Sequence, residues 1–367
     1  MDAFDYLSVF YAKQHSADRI IQNVDALLAS EELDVRFIPF GCERKNVDWL
    51  DGIVIKDRKT KLQWKNERLH CYELQYKYKE RGQARNSKGQ FFIIQDDQYA
   101  DSFVVFTIES GDFYRRALFP FIQSIYPIAI MTFITHKKLR RLLDNFVVSN
   151  NQSELLITRA SQRLRFQENH KGRRVMPVVS WPSMSVEEAF HWVYDHNGWF
   201  ESISIEVSKN CRVLSNFTFT RQGVLRTNAL VGELFDSFIK PICKIIHENI
   251  EFFSHRSRLD RMDLSTRPIV IEFDEDQFSE ISENQRLIQS MRRMKTSSIS
   301  VLHGNPYVHL TILDYIDGSA FDLWVLDQQK IVLVPQLKVS VAAIKRLVNH
   351  VFDDYAEGNL INYEEVA

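Results

Sequence analysis

Residues 69–79, "LHCYELQYKYK", decide how the N-terminal part of the chain is built. Tyr72, Leu74, Tyr76 and Tyr78 alternate with Glu73, Gln75 and Lys77. Side chains along an extended chain point to opposite faces at each step. The stretch therefore predicts a strand with an aromatic core face and a charged face in water, the usual form of an antiparallel sheet covered on one side. Similar pieces surround it: "DVRFIPF", "LDGIVIKD" and "KLQWK" come before, "GQFFIIQDD" and "DSFVVFTIES" after, and the polar segment "ERGQARNSK" reads as a turn. Ahead of them, Ile20, Ile21, Val24, Leu27 and Leu28 recur at helical spacing. Residues 1–110 are thus expected to form a helix followed by a mainly antiparallel sheet.

From residue 112 the period changes. "DFYRRALFPFIQSIYP" reads as a helix kinked or broken at Pro120, "IAIMTFIT" as a buried strand, "HKKLRRLLDNFVV" as a helix and "SELLITRAS" as a strand. Ser185 with Glu188 three residues on marks a helix start. Residues 229–253 carry an apolar stripe, with a kink expected at Pro241. The alternation predicts a central α/β region over 111–253, and the charged stretch 254–268, "SHRSRLDRMDLSTRP", is the expected boundary to a sheet-and-helix block over 269–367. The fold class expected for the whole is mixed α+β. Two segments, 103–127 and 216–241, share the order strand, polar turn, arginine, apolar helix and proline. That order fits either a duplicated unit or two independent copies of a common pattern.

The 367 residues hold 26 Phe, 13 Tyr and 6 Trp but only 12 Gly and 9 Pro, which favours large cores and closely joined elements over linkers. Net charge is −2, so the chain as a whole is no polycation. Cys42, Cys71, Cys211 and Cys243 stand far apart without a CxxC pair, which supports neither a zinc ribbon nor a redox motif. The N-terminus, "MDAFDYLSVFYAKQH", has acids where a signal peptide needs positive charge, and the longest apolar run, 126–134, is far below the ~20 residues of a membrane span. A cytoplasmic protein with no membrane association is expected. Walker, GxSxG and HExxH patterns are missing from the sequence.

Asp51 in "VDWLDGIVI", with Glu73 and Gln75 on the long strand, resembles the core of the PD-(D/E)XK nuclease superfamily. The resemblance implies that Asp51 and Glu73 hold Mg²⁺ through hard oxygen ligands while Gln75 takes the family's Lys or Gln position. The chain departs from that family in two places. A polar turn and a further strand follow Glu73 where the family has a helix, and "KLQWK" intervenes between Asp51 and Glu73. Read from the residues alone, the same positions form the solvent face of a sheet, with no cofactor implied.

Charge clustering is the other signal. Between 136 and 174 ten basic residues stand against three acidic ones. Lys137, Lys138, Arg140 and Arg141 fall on a predicted helix, Arg163 and Arg165 on the same side of a predicted strand, and Arg173 and Arg174 on a loop. Brought together, they would bind phosphates of DNA or RNA irrespective of base sequence, or an acidic protein surface. The sequence thus leads to a non-enzymatic binding component, alone or within a larger assembly, with a Mg²⁺-dependent nuclease as the alternative.

Overall fold

The computed structural model describes residues 17–31, 33–66, 68–80, 83–125, 128–149, 153–164, 183–196, 198–257 and 267–363. The chain divides into two compact units, Met1–His247 and Glu248–Ala367. Helices and sheets are both abundant, and every strand pairing among the described residues is antiparallel. The class is α+β. No helix of the described residues is long and apolar enough to cross a membrane.

The first unit opens with α1 (Ala17–Glu31), which buries Ile20, Ile21, Val24, Leu27 and Leu28. Its twelve-stranded sheet begins with β1 (Val35–Gly41), β2 (Val54–Ile55), β3 (Arg58–Lys65), β4 (Leu69–Glu80), β5 (Gln83–Gln95) and β6 (Ser102–Thr107). It continues with β7 (Ile130–Met131), β8 (Glu154–Leu164), β9 (Met184–Ser185), β10 (Gly198–Lys209), β11 (Arg212–Thr220) and β12 (Leu225–Thr227). The order is β2-β3-β4-β5-β6-β1-β12-β11-β10-β8-β9, with β7 on β1. Strands from both sides of residue 110 therefore share one sheet. β1 lies at its centre, paired with β6 on one side and β12 on the other. All seven of its residues are buried, as its near-continuous apolar run requires of a strand covered on both faces.

β7 is much shorter than the apolar run at 128–135 predicts. β6 holds one edge of β1 from Arg36 to Gly41, and on the other edge β12 takes Val35 to Phe37 while β7 pairs with Phe40 and Gly41. The helices after β6 and after β12 also depart from expectation, and in the same way. The first, α2, runs through Gly111–Phe113, a π-helical turn at Tyr114–Leu118 and Phe119–Ser124. After α3 (His136–Ser149) and α4 (Val186–Asp195), α5 repeats this as Val231–Leu234, a π-turn at Phe235–Ile239 and Lys240–Ser254. In each helix the residue before the proline, Phe119 or Lys240, donates its N–H five residues back, to Tyr114 or Phe235. A widened turn thus accommodates the missing proline N–H where the sequence alone predicts a kink or break.

The second unit carries β13 (Ile269–Phe273), α6 (Ile281–Arg292), β14 (Ser297–His303), β15 (His309–Asp314), β16 (Ala320–Val325), β17 (Lys330–Pro335), α7 (Val341–Asp354) and β18 (Gly358–Asn362). Its sheet runs β14-β15-β16-β17-β13-β18. α7 buries Val341, Ile344, Leu347, Val348 and Val351, and Arg346 on the same helix pairs at 2.7 Å with the buried Asp314. Of the charged boundary stretch, residues 258–266 lie outside the described residues.

Candidate functional site

The alternation that predicts β4 is realised. Tyr72, Leu74 and Tyr76 are buried, while Gln75 and Lys77 are exposed. Their core partners are aromatic: Tyr72 stacks on Phe91 at 5.5 Å, and Tyr76 lies 5.9 Å from Phe113. The Tyr72 hydroxyl donates to the Val47 carbonyl at 2.8 Å, and burial pushes its pKa up. The Cys71 thiol is likewise pushed up by burial, to about 12, so it is no nucleophile.

On the opposite face, Glu73 lies between Lys61 on β3 and Gln90 on β5 in the strand register. Its carboxylate accepts from Gln75 Nε2 at 2.9 Å and from Lys88 Nζ at 3.0 Å. The Gln75 hydrogen bond, helped by Lys88, holds Glu73 below the usual glutamate range. Asp51 Oδ1 accepts the Leu62 backbone N–H at 2.8 Å. Both carboxylates of the nuclease-like pattern are thus engaged by the sheet itself. Among the described residues no group of three or more His, Cys, Asp or Glu gathers to hold a metal ion.

Beside Gln75 the surface sinks into a cleft of about 510 Å³ between the β2–β3 turn and the β4–β5 ribbon. Five cationic side chains line it, Lys56, Arg58, Lys59, Lys77 and Lys88, against the single carboxylate of Asp57. Gln75, Asn86 and Ser87 add hydrogen-bonding groups. The turn is fixed by the Lys77 N–H donating to the Asp57 carbonyl at 3.0 Å. Arg58 is anchored on α2, its Nη2 donating to the Arg116 carbonyl at 2.8 Å and its Nε to the Ala117 carbonyl at 3.2 Å. Arg116 O is the acceptor four residues before Pro120, whose ring nitrogen has no hydrogen to offer it. Lys88 is held by Glu73. Lys56, Lys59 and Lys77 pair with no carboxylate among the described residues. Lys56 also sits at φ +53°, a left-handed conformation costing a lysine about 1 kcal/mol or more. The tight β2–β3 turn holds it there, at the cleft wall.

The basic segment expected from sequence is described only in part. On α3, Lys137 and Arg141 are exposed, and Lys138 and Arg140 are half-buried. Leu139, Leu142 and Phe146 take the core side of the helix. Arg140 pairs with Asp144 at 2.9 Å and lies 5.4 Å over the Phe190 ring, so this guanidinium is committed within the fold. Arg163 pairs through its backbone with Trp199 in the β8–β10 ladder. Arg165, Arg173 and Arg174 lie outside the described residues.

The whole cleft does not show as one cluster in the sequence because its cations come from the β2–β3 turn and from three strands, β3, β4 and β5. "VIKDRKTKLQWK", 54–65, holds the available signal, five bases against one acid, and the register Lys59–Gln75–Lys88 brings those bases to the lysines of β4 and β5. In comparison with known proteins, the chain matches no protein-family model and no curated protein at a significant level.

Proposed function

We propose that this protein binds the phosphate backbone of nucleic acid, and that the cleft between the β2–β3 turn and the β4–β5 ribbon is the principal binding surface. The carrying observation is that Lys56, Lys59 and Lys77 converge on one cavity without an acidic partner among the described residues. Like charges held close together repel, and a fold tolerates this where an anion relieves it. A phosphate in the cleft would displace condensed counterions and gain affinity by their release. Lysine is a point-charge donor and reads no base edge in this setting, so the binding is independent of sequence. Lys137 and Arg141 on α3 are a secondary binding surface in this reading.

The test is a salt titration of binding to a labelled 20-base-pair duplex, with wild type beside the double substitution Lys56→Glu and Lys77→Glu. The expected result is weaker binding and a log–log salt slope shallower by ~0.9 for each phosphate that the variant no longer neutralises. Both side chains are exposed, so thermal stability should change by no more than about 0.5 kcal/mol apiece. Binding that the double substitution leaves untouched would exclude the cleft as the site.

A further inference from the structure

The β4–β5 ribbon is longer than the sheet that supports it. β3 stays beside β4 only as far as the pair Arg58↔Tyr76, and β6 stays beside β5 only as far as Phe92↔Phe106. Beyond these the two strands pair only with each other, from Lys77↔Asn86 to Glu80↔Gln83. Residues 83–86 are all exposed. An isolated two-stranded ribbon is marginally stable in water, and its unpaired edges invite aggregation unless charge protects them. Of its described side chains Tyr78 packs against the core, 5.7 Å from Tyr76 and beneath Arg116 at 5.3 Å, while Lys77 and residues 83–86 are left to solvent.

From this arm and the cleft at its base we propose that the outer β4–β5 ribbon enters the major groove of duplex DNA while Lys77 and Lys88 hold the flanking phosphates. The inference rests on the phosphate reading above and adds the class of nucleic acid. By strand alternation Gln75, Lys77, Ala84, Asn86 and Lys88 share one face of the ribbon, where Glu73, paired with Lys88 at the base, is the carboxylate and the outer part carries none among the described residues. Two strands about 5 Å apart, with side chains, fit a groove about 12 Å wide and 8.5 Å deep. The minor groove, about 6 Å wide, is too narrow. The deep, narrow major groove of double-stranded RNA admits no such ribbon. No aromatic side chain is exposed on this face for stacking, which disfavours single strands. Asn86 is neutral and exposed, and can hydrogen-bond a base edge or a backbone oxygen inside the groove.

The test measures affinity for a DNA duplex, its single strand, a double-stranded RNA and inorganic polyphosphate at one salt concentration. Competition with methyl green in the major groove and netropsin in the minor groove runs alongside. DNA duplex should bind at least tenfold more tightly than single strand or double-stranded RNA, and the protein should displace methyl green but not netropsin. Asn86→Ala should weaken duplex binding about tenfold and polyphosphate binding far less, since it removes one hydrogen-bonding group and no charge. If duplex, single strand and polyphosphate bind alike and methyl green stays bound, the groove inference is overturned and the phosphate reading stands. If netropsin is displaced instead, the major-groove assignment is overturned. If none of the four ligands binds at low salt, both fall.

Discussion

Glu73 shows how one residue separates the two chemistries its stretch suggests. In a nuclease it would be a metal ligand, and its amide would abolish cleavage. In this sheet it accepts from Gln75 and Lys88 and neutralises part of the cleft's positive charge. Glu73→Gln should therefore tighten polyanion binding, because Lys88 loses its counter-charge. The measurement is the same duplex titration, and weaker binding would contradict the role given to Lys88. The substitution also carries a pH signature. Glu73 titrates lower in the folded chain than in the unfolded one, so its contribution to stability is full above the ordinary glutamate pKa of about 4.3. That contribution is lost as pH falls through the lower folded value. Urea unfolding of wild type and Glu73→Gln should accordingly differ at neutral pH and converge in acid. The sequence makes the alternation of this strand and the Gln75 neighbour of Glu73 legible, but not the lysines across the ladder, since Lys61 and Lys88 come from β3 and β5.

At the scale of elements, strand and helix identities are readable where periodicity is strong, and boundaries shift where a neighbour decides them. Gly89 illustrates the difference. Followed by an apolar run and preceded by "RNSK", it reads as the end of a turn. In the fold it lies buried inside β5, where a methyl group would meet Phe113 Cδ2 at 2.5 Å. A strand glycine can mark a close approach instead of a turn, and Phe113 belongs to a helix more than twenty residues away. Gly89→Ala should thus destabilise the protein by about 1–3 kcal/mol through overpacking, read as a fall in the urea midpoint at constant slope. Arg58 makes the matching case for α2. Arg58→Lys keeps the charge in the cleft but loses the fork that serves the Arg116 and Ala117 carbonyls. The expected cost is about 1.5–3 kcal/mol for a broken charged hydrogen bond, with polyanion binding retained. A binding loss without a stability loss would reverse that assignment. The paired π-turns before Pro120 and Pro241 show that the similarity of 103–127 and 216–241 extends to backbone hydrogen bonding.

At the scale of the whole molecule, local patterns specify the α+β class but not the order of strands. β1 is flanked by partners that follow it by more than 60 and more than 180 residues, and no short window of sequence contains such a pairing. The same limit hides the cleft, whose cations come from one turn and three strands. It also governs the segment where the chain leaves α5. The charged stretch from Ser254 onward reads as an open tryptic target, yet Arg256 is only 7% exposed. Its guanidinium lies 3.6 Å over the Phe252 ring and donates to the Phe252 carbonyl and to Asn362 Oδ1 on β18. The backbone around it is tied as well, with the Arg256 and Ser257 N–H groups both donating to the Phe253 carbonyl at 3.0 Å. A protease needs several residues of extended, accessible chain, so brief trypsin treatment of the native protein should yield no fragment ending at Arg256. Mass spectrometry of the first products checks this against a urea-unfolded control, where that cut should appear. Arg256→Ala should open the segment by removing the ring stacking and both side-chain hydrogen bonds. Early cleavage after Arg256 in the native wild type would show that these interactions do not hold the segment in solution.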